Sequence, residues 1–317
     1  MFGLHKALSS QGVLGINKRN ANFISLYNPR HLYPLVDDKL RTKKLALDAG
    51  IAVPELYSTI RFPSEIKNFT DMLGAHEDFV IKPAHGSGGE GIIVVTSRSK
   101  NCFRLVDGRL LSDEQIKHHL LNILGGMYSL GGHPDSVIIE YRVIFDPIFE
   151  AVSYRGVPDI RIIVFLGVPV MSMIRLPTLA SGGRANLHQG AIGCGIDTAS
   201  GRTMAAVSKN TIVKEHPDTG APVSDIKIPY WETLLQLASQ SYQLTGLGFQ
   251  GVDFVIDKTK GPLVLELNAR PGLNIQLANM AGLLPRLQLV EDNISKLPDI
   301  QSRVAFAIKN FTISKSI

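Results

Sequence analysis

Between Asp78 and Thr96 the chain reads DFVIKPAHGSGGEGIIVVT, and this stretch limits the fold more than any other. Phe79 to Ile81 and Ile92 to Val95 are β-formers, whereas Gly86, Ser87, Gly88 and Gly89 cannot hold regular structure. The predicted order is strand, glycine-rich turn, strand. Gly86, Gly88 and Gly91 keep the G-x-G-x-x-G spacing. That spacing serves a dinucleotide only where it opens a helix whose N-terminus receives the pyrophosphate. An unbroken β-branched run follows here instead. The bare N–H groups of a glycine flap between antiparallel strands can instead fold down over phosphates. Lys82 precedes the loop and neither H-R-D nor D-F-G occurs, so the arrangement is not that of a protein kinase. A flexible hairpin with an incidental lysine is the plainer reading of the same residues.

A chain of 317 residues fits one large domain or two lobes and can bury a substantial core. With 44% hydrophobic and 19% charged residues it is globular rather than disordered. No apolar run reaches the roughly 18 residues of a membrane span, and the N-terminus lacks a continuous apolar signal region. A cytoplasmic protein is expected, with Cys102 and Cys194 as reduced thiols. Basic residues gather early (Lys18, Arg19, Arg30, Arg41, Lys43, Lys44), but no aromatic-interleaved basic run points to nucleic acid. An anionic small molecule or an acidic peptide suits that charge better.

Residues 1–36 are too short for a folded domain of their own. Asp37 or Asp38 can cap a helix through Ala49, with Gly50 in the stop position. Lys39 and Lys43 share a face of that helix, which a solvated basic stripe would also explain. Ser112 and Gln115 make a capping box. In VIIEYRV, a buried-strand pattern, Glu140 needs a partner or an exposed position. The hairpin DIRIIVFL–VMSMIRLP sets Asp159 and Arg161 on one side, where a structural cross-strand pair is the alternative. Arg184, Asn186 and His188 alternate in a glycine-rich loop; His188 alone is as readily a structural group as a substrate contact. The helix predicted from Tyr230 to Leu244 carries a core stripe. The hairpin GVDFVID–KTKG–PLVLELNAR then brings Asp253 to the level of Glu266, with Asn268 on the same face. Two carboxylates and an amide oxygen are hard ligands of the kind Mg²⁺ takes. A surface hairpin with scattered acids is the alternative.

Taken in order, DDKLRTKKLALDAGIAVP, FVIKPAHGSGGEGI, IIEYRV, DIRIIVF, RANLHQGA, GVDFVI and LELNARPGL resemble the ATP-grasp superfamily. More narrowly, the D-I-R, R-x-N-L-H and E-x-N-A-x-P-G-L segments resemble RimK-type α-L-glutamate ligases. The resemblance runs from about Asp37 to Ala281. It implies an α+β ATP-grasp fold: an N-terminal extension (1–36) in place of a full preceding domain, a smaller lobe with the flap (37–139), and a larger lobe with the metal site (140–317). ATP would lie between the two α/β lobes.

By that resemblance Lys39 and Lys82 contact the nucleotide, and His85, Gly86, Ser87, Gly88 and Gly89 form the flap. Glu140 and Tyr141 border the adenine. Asp159, Arg184 and Asn186 meet ATP or the transferred phosphate, and Asp253, Glu266 and Asn268 hold Mg²⁺, which Mn²⁺ can replace. Arg161, from its charge rather than from the resemblance, is placed as a stabiliser of the moving phosphoryl group. The implied activity is ATP-dependent carboxylate–amine ligation through an acyl phosphate, with glutamate or another amino acid or peptide as donor. A kinase acting on a hydroxyl and a non-catalytic nucleotide-binding module are the alternatives. Arg270 stands where RimK-type sequences carry serine, so it and His188 are candidate substrate contacts. The short N-terminus implies an acceptor site that is remodelled, or completed by a second copy or a partner protein.

Overall fold

The computed structural model describes residues 10–86, 88–99, 102–209 and 211–312. They cluster into two compact units. The smaller comprises 38–44 and 53–144, and the larger comprises the N-terminal residues to 37, 45–52 and 145 onward. Both are built on antiparallel sheet with helices beside it, an α+β architecture.

In the smaller unit, helix α1 (Lys39–Asp48) begins where the Asp38 carboxylate accepts the Leu40 N–H at 2.8 Å. It ends before Gly50 at φ +72°, a left-handed stop that suits glycine. Only the first part of α1 clusters with this unit. The sheet holds β1 (Leu56–Ile60), β2 (Phe79–Pro83), β3 (Ile93–Ser99), β4 (Cys102–Leu105), β5 (Leu110–Ser112) and β6 (Val137–Glu140). Their order is β1-β6-β2-β3-β4-β5. Helix α2 (Asp113–Leu124) starts at the Ser112–Gln115 capping box. Its buried Ile116, Leu120 and Ile123 cover the sheet's Phe79, Ile81, Phe103 and Ile139.

The larger sheet runs β11-β10-β9-β8-β7-β12-β13. Its strands are β7 (Asp159–Phe165), β8 (Val168–Leu176), β9 (Ile192–Ile196), β10 (Thr203–Ser208), β11 (Thr211–Val213), β12 (Phe249–Asp257) and β13 (Gly261–Asn268). The β7–β8 turn is Leu166–Gly167, both at positive φ, which matches the strand twist. Helix α3 (Trp231–Thr245) buries Trp231, Leu234, Leu235 and Ala238. Helices α4 (Ile275–Ala278), α5 (Leu284–Asn293) and α6 (Ile300–Asn310) follow.

Residues 10–37 are part of this larger unit. Leu14, Phe23 and Ile24 are buried in its core with Phe165, Phe249 and Leu287. The Phe23 ring meets Phe165 edge-on at 5.5 Å. Buried side-chain amides stitch the segment down. Gln276 bonds the Leu14 N–H at 2.8 Å and its carbonyl at 3.0 Å. Asn28 donates to the Phe249 and Ala269 carbonyls and accepts the Phe249 N–H.

Candidate functional site

Two constellations stand out, one in each unit. In the smaller, β2 and β3 pair antiparallel (Val80 opposite Val94), so the residues joining them form the expected flap. Gly88, Gly89 and Gly91 have φ of +66°, +80° and +72°. A Cβ on Gly91 would lie 2.6 Å from the Tyr128 ring, so only glycine fits there. The Gly91 carbonyl accepts from His119 at 2.9 Å. Ser87 lies outside the described residues.

The flap's base is pinned by Asp135, a residue that sequence reasoning passed over. Its carboxylate meets the His85 ring nitrogen at 2.7 Å, the His85 N–H at 3.0 Å, the Ser129 hydroxyl at 2.7 Å and the Ser136 N–H at 2.7 Å. Burial pushes its pKa up, and these hydrogen bonds outweigh burial and hold it below the usual value. Lys39 donates to the Gly86 carbonyl.

Beside the flap, Lys82 and Lys43 both reach Glu140, the latter at 2.9 Å, and all three side chains are buried. Burial raises the Glu140 pKa, but the two ammonium groups outweigh it and keep the acid ionised. Burial, with help from the Lys82 charge, lowers the Lys43 pKa despite Glu140. Two cations share one carboxylate, so the cluster carries an excess positive charge. The partner Glu140 required is a pair of lysines. Lys43 also donates to the Pro54 carbonyl, so it is no solvated stripe. The Tyr141 N–H is committed to the Glu55 carbonyl at 2.8 Å.

In the larger unit, register places charge on one sheet face. Asp253 stands opposite Arg161 on β7 and opposite Glu266 on β13. A bulge between Asp253 and Phe254 makes the second pairing, since the regular ladder from Phe254–Val264 would put Leu265 there. A second bulge, between Ile163 and Val164, sets Asp159 opposite Arg175. Arg161 is bidentate to Asp253, 2.7 Å through Nε, and Arg175 reaches Asp253 at 3.0 Å and Asp159 through Nε at 3.2 Å.

The Asn268 amide lies 3.2 Å from Asp253 and 3.3 Å from Glu266. Two guanidiniums thus face three carboxylates. Burial raises the Asp253 pKa, but Arg161 and Arg175 overcome it and keep that acid well below its usual range. Burial and the Asp253 charge push Asp159 up to about 7 against the pull of Arg175.

Whether this set suits Mg²⁺ turns on its donors. Among the described residues no cluster of three or more His, Cys, Asp or Glu is set to hold a metal. The set here is two carboxylates with an amide, converging within 3.3 Å. Asn268 turns its nitrogen to the acids, and rotating the amide would present its oxygen instead. Hard oxygen donors of that kind fit a magnesium ion, which takes one or two carboxylates and completes its shell with water and phosphate.

The sugar-transfer associated ATP-grasp family matches residues 18–292. This chain belongs to that family. Its fold is similar to the ATP-grasp ligase PsnB, solved with a minimal precursor, Mg and ADP (15% identity, TM-score 0.44, 85% of this chain and 62% of that one). It is also similar to D-alanine–D-alanine ligase from Bacillus anthracis (15%, 0.43, 95% and 76%) and to D-cycloserine synthetase DcsG (14%, 0.44, 92% and 80%). The chain spans about 62% of the length of the PsnB chain it matches. No curated protein matches it in sequence. No helix among the described residues is long and apolar enough to cross a membrane.

The remaining predicted residues of this ATP-grasp chain lie on or beside the larger sheet. Asn186 accepts the His188 N–H at 3.0 Å and starts a short 3-10 turn over Leu187–Gln189, so the loop is not extended throughout. Arg184 is exposed. His188 lines a cavity of about 180 Å³ with Leu187, Val207, Lys209, Asn274 and Leu277. Arg270 is exposed, its guanidinium 5.1 Å over the Tyr33 ring. Arg175 went unremarked in the sequence, because its pairing depends on a bulge.

Proposed function

We propose that the chain is an ATP-dependent carboxylate–amine ligase. A substrate carboxylate takes the γ-phosphoryl group of ATP, giving an acyl phosphate and ADP. An amine then attacks the acyl carbon, phosphate leaves, and an amide remains. The observation that carries this reading is the row Glu266–Asp253–Arg161 across one sheet face, with Asn268 beside it, in an ATP-grasp chain.

No side-chain nucleophile is needed, since both nucleophiles belong to substrates. The protein's tasks are to position the reactants, offset phosphate charge and keep water from the acyl phosphate. Lys39, Lys82 and the flap from His85 to Gly89 would hold the phosphates, and the excess positive charge of the Lys43–Lys82–Glu140 cluster favours an anion there. Glu140 and Tyr141 would border the adenine, Tyr141 through its carbonyl. Asp253, Glu266 and Asn268 would hold Mg²⁺, or Mn²⁺ in its place, which when bound neutralises charge on the moving phosphoryl group. Arg161 and Arg175 keep Asp253 ionised and aligned for that ion, so Arg161 acts through Asp253. Asp159, Arg184 and Asn186 would meet ATP or the transferred group. The donor is glutamate or another amino acid or peptide, in keeping with the RimK-type likeness, and the setting is the cytoplasm.

Hydroxylamine trapping tests this. With Mg-ATP and a panel of carboxylates, a ligase of this kind yields a hydroxamate. An acid-stable phosphate ester without hydroxamate would mark a kinase and overturn the reading.

A further inference from the structure

The N-terminal segment delivers a second guanidinium to the end of the strand that bears Glu266 and Asn268. Arg19 opens a π-helical turn (Arg19–Ile24) and is 9% exposed. Its Nη1 donates to the Pro271 carbonyl at 2.8 Å, and its other hydrogen bonds, at 3.1 and 2.9 Å, go to the amide oxygen of Asn20. Every acceptor is neutral. Pro271 directly follows Arg270, whose guanidinium lies over Tyr33 from the same N-terminal segment. Arg19 feels Arg270 as a neighbouring like charge. Among the described residues, no carboxylate lies within 4.0 Å of either guanidinium. Burying one cation beside another without a counter-ion is costly. An arginine pair of this kind offers planar donors to an oxyanion, for which guanidinium is far better shaped than ammonium.

We propose that Arg19 and Arg270 together seat a substrate carboxylate, making the N-terminal segment part of the substrate site. Calling the anion a substrate rests on the ligase reading, whereas the anion seat itself does not.

Because Arg19 is buried and its removal could unfold the segment, the test uses the exposed Arg270. Calorimetric titration of the full chain with glutarate, with neutral glutaramide and with inorganic phosphate separates the cases. The expected result is saturable glutarate binding, about tenfold weaker in Arg270→Gln and weakened in Arg19→Lys, with no glutaramide binding; tenfold corresponds to the loss of one charge-assisted contact. In an assay of ADP release from Mg-ATP, KM for the carboxylate substrate should rise in Arg270→Gln while KM for ATP stays unchanged. Equal glutarate affinity in wild type and Arg270→Gln, binding of phosphate alone, or no anion binding would each overturn the seat. Failure of amide formation with the glutarate difference intact would overturn the ligase reading and leave the seat standing.

Discussion

Glu140 shows how much one residue can hold. Its two buried lysine partners would be left facing each other in Glu140→Gln. Removing the counter-charge from a buried cluster costs about 3 kcal/mol or more, so urea denaturation should give a stability loss of that order; an unchanged midpoint would show that the lysines relax to solvent. Cys194 is fully buried, and burial pushes its thiol up to about 12. Cys102 is partly exposed. Maleimide labelling near pH 7 should therefore modify Cys102 in the native protein and reach Cys194 only after unfolding; equal labelling of both would contradict the packing. The need of Glu140 for a partner was legible from a carboxylate in an apolar strand, but the partners were not. Lys43 lies on a helix nearly a hundred residues away in sequence, and helical spacing alone could not distinguish it from a solvated lysine.

Among the elements, the flap depends on its pins. Gly91→Ala meets both a positive φ and the Tyr128 ring. A left-handed conformation costs an L-residue roughly 1–2 kcal/mol, and the clash adds to it, so Gly91→Ala should destabilise the smaller unit and raise KM for ATP. Asp135 gives a pH test of the same loop. Its folded pKa lies below the ordinary aspartate value of 3.8. The stability it contributes is therefore present above that value and is lost as pH falls through the folded one. Asp135→Asn should be less stable than wild type near neutrality, with the difference shrinking below about pH 4; a constant difference would show that the hydrogen bonds do not favour the ionised form.

Strand–glycine–strand and the final hairpin were readable because glycine content and β-branched runs are local signals. The register was not, because the bulges at Asp253 and Ile163 each shift the pairing by one residue. Without them Leu265 and Ile174 would stand opposite Asp253 and Asp159. The strand Ile192–Ile196 was hidden for a related reason: IGCGI carries two glycines, which sequence reading assigns to loops.

For the whole molecule, the N-terminal residues are the element that sequence understated. They were too short to be a domain, and periodicity could not show that Leu14, Phe23 and Ile24 complete a distant core. Deleting residues 1–28 should leave the larger unit unable to fold cooperatively, checked by the loss of a single sharp thermal transition in circular dichroism. The two constellations, one per unit, are a lysine pair on Glu140 and a carboxylate–amide set around Asp253, and the proposed function assigns them to phosphate and to a divalent ion.

The most direct test of ligase function is ADP release from Mg-ATP across a panel of amino acids and acidic peptides, with Asp253→Ala and Glu266→Ala alongside. Release that requires both a carboxylate and an amine, and that disappears in both variants, is the predicted result. Release independent of any amine, or undiminished without Asp253 and Glu266, would contradict it.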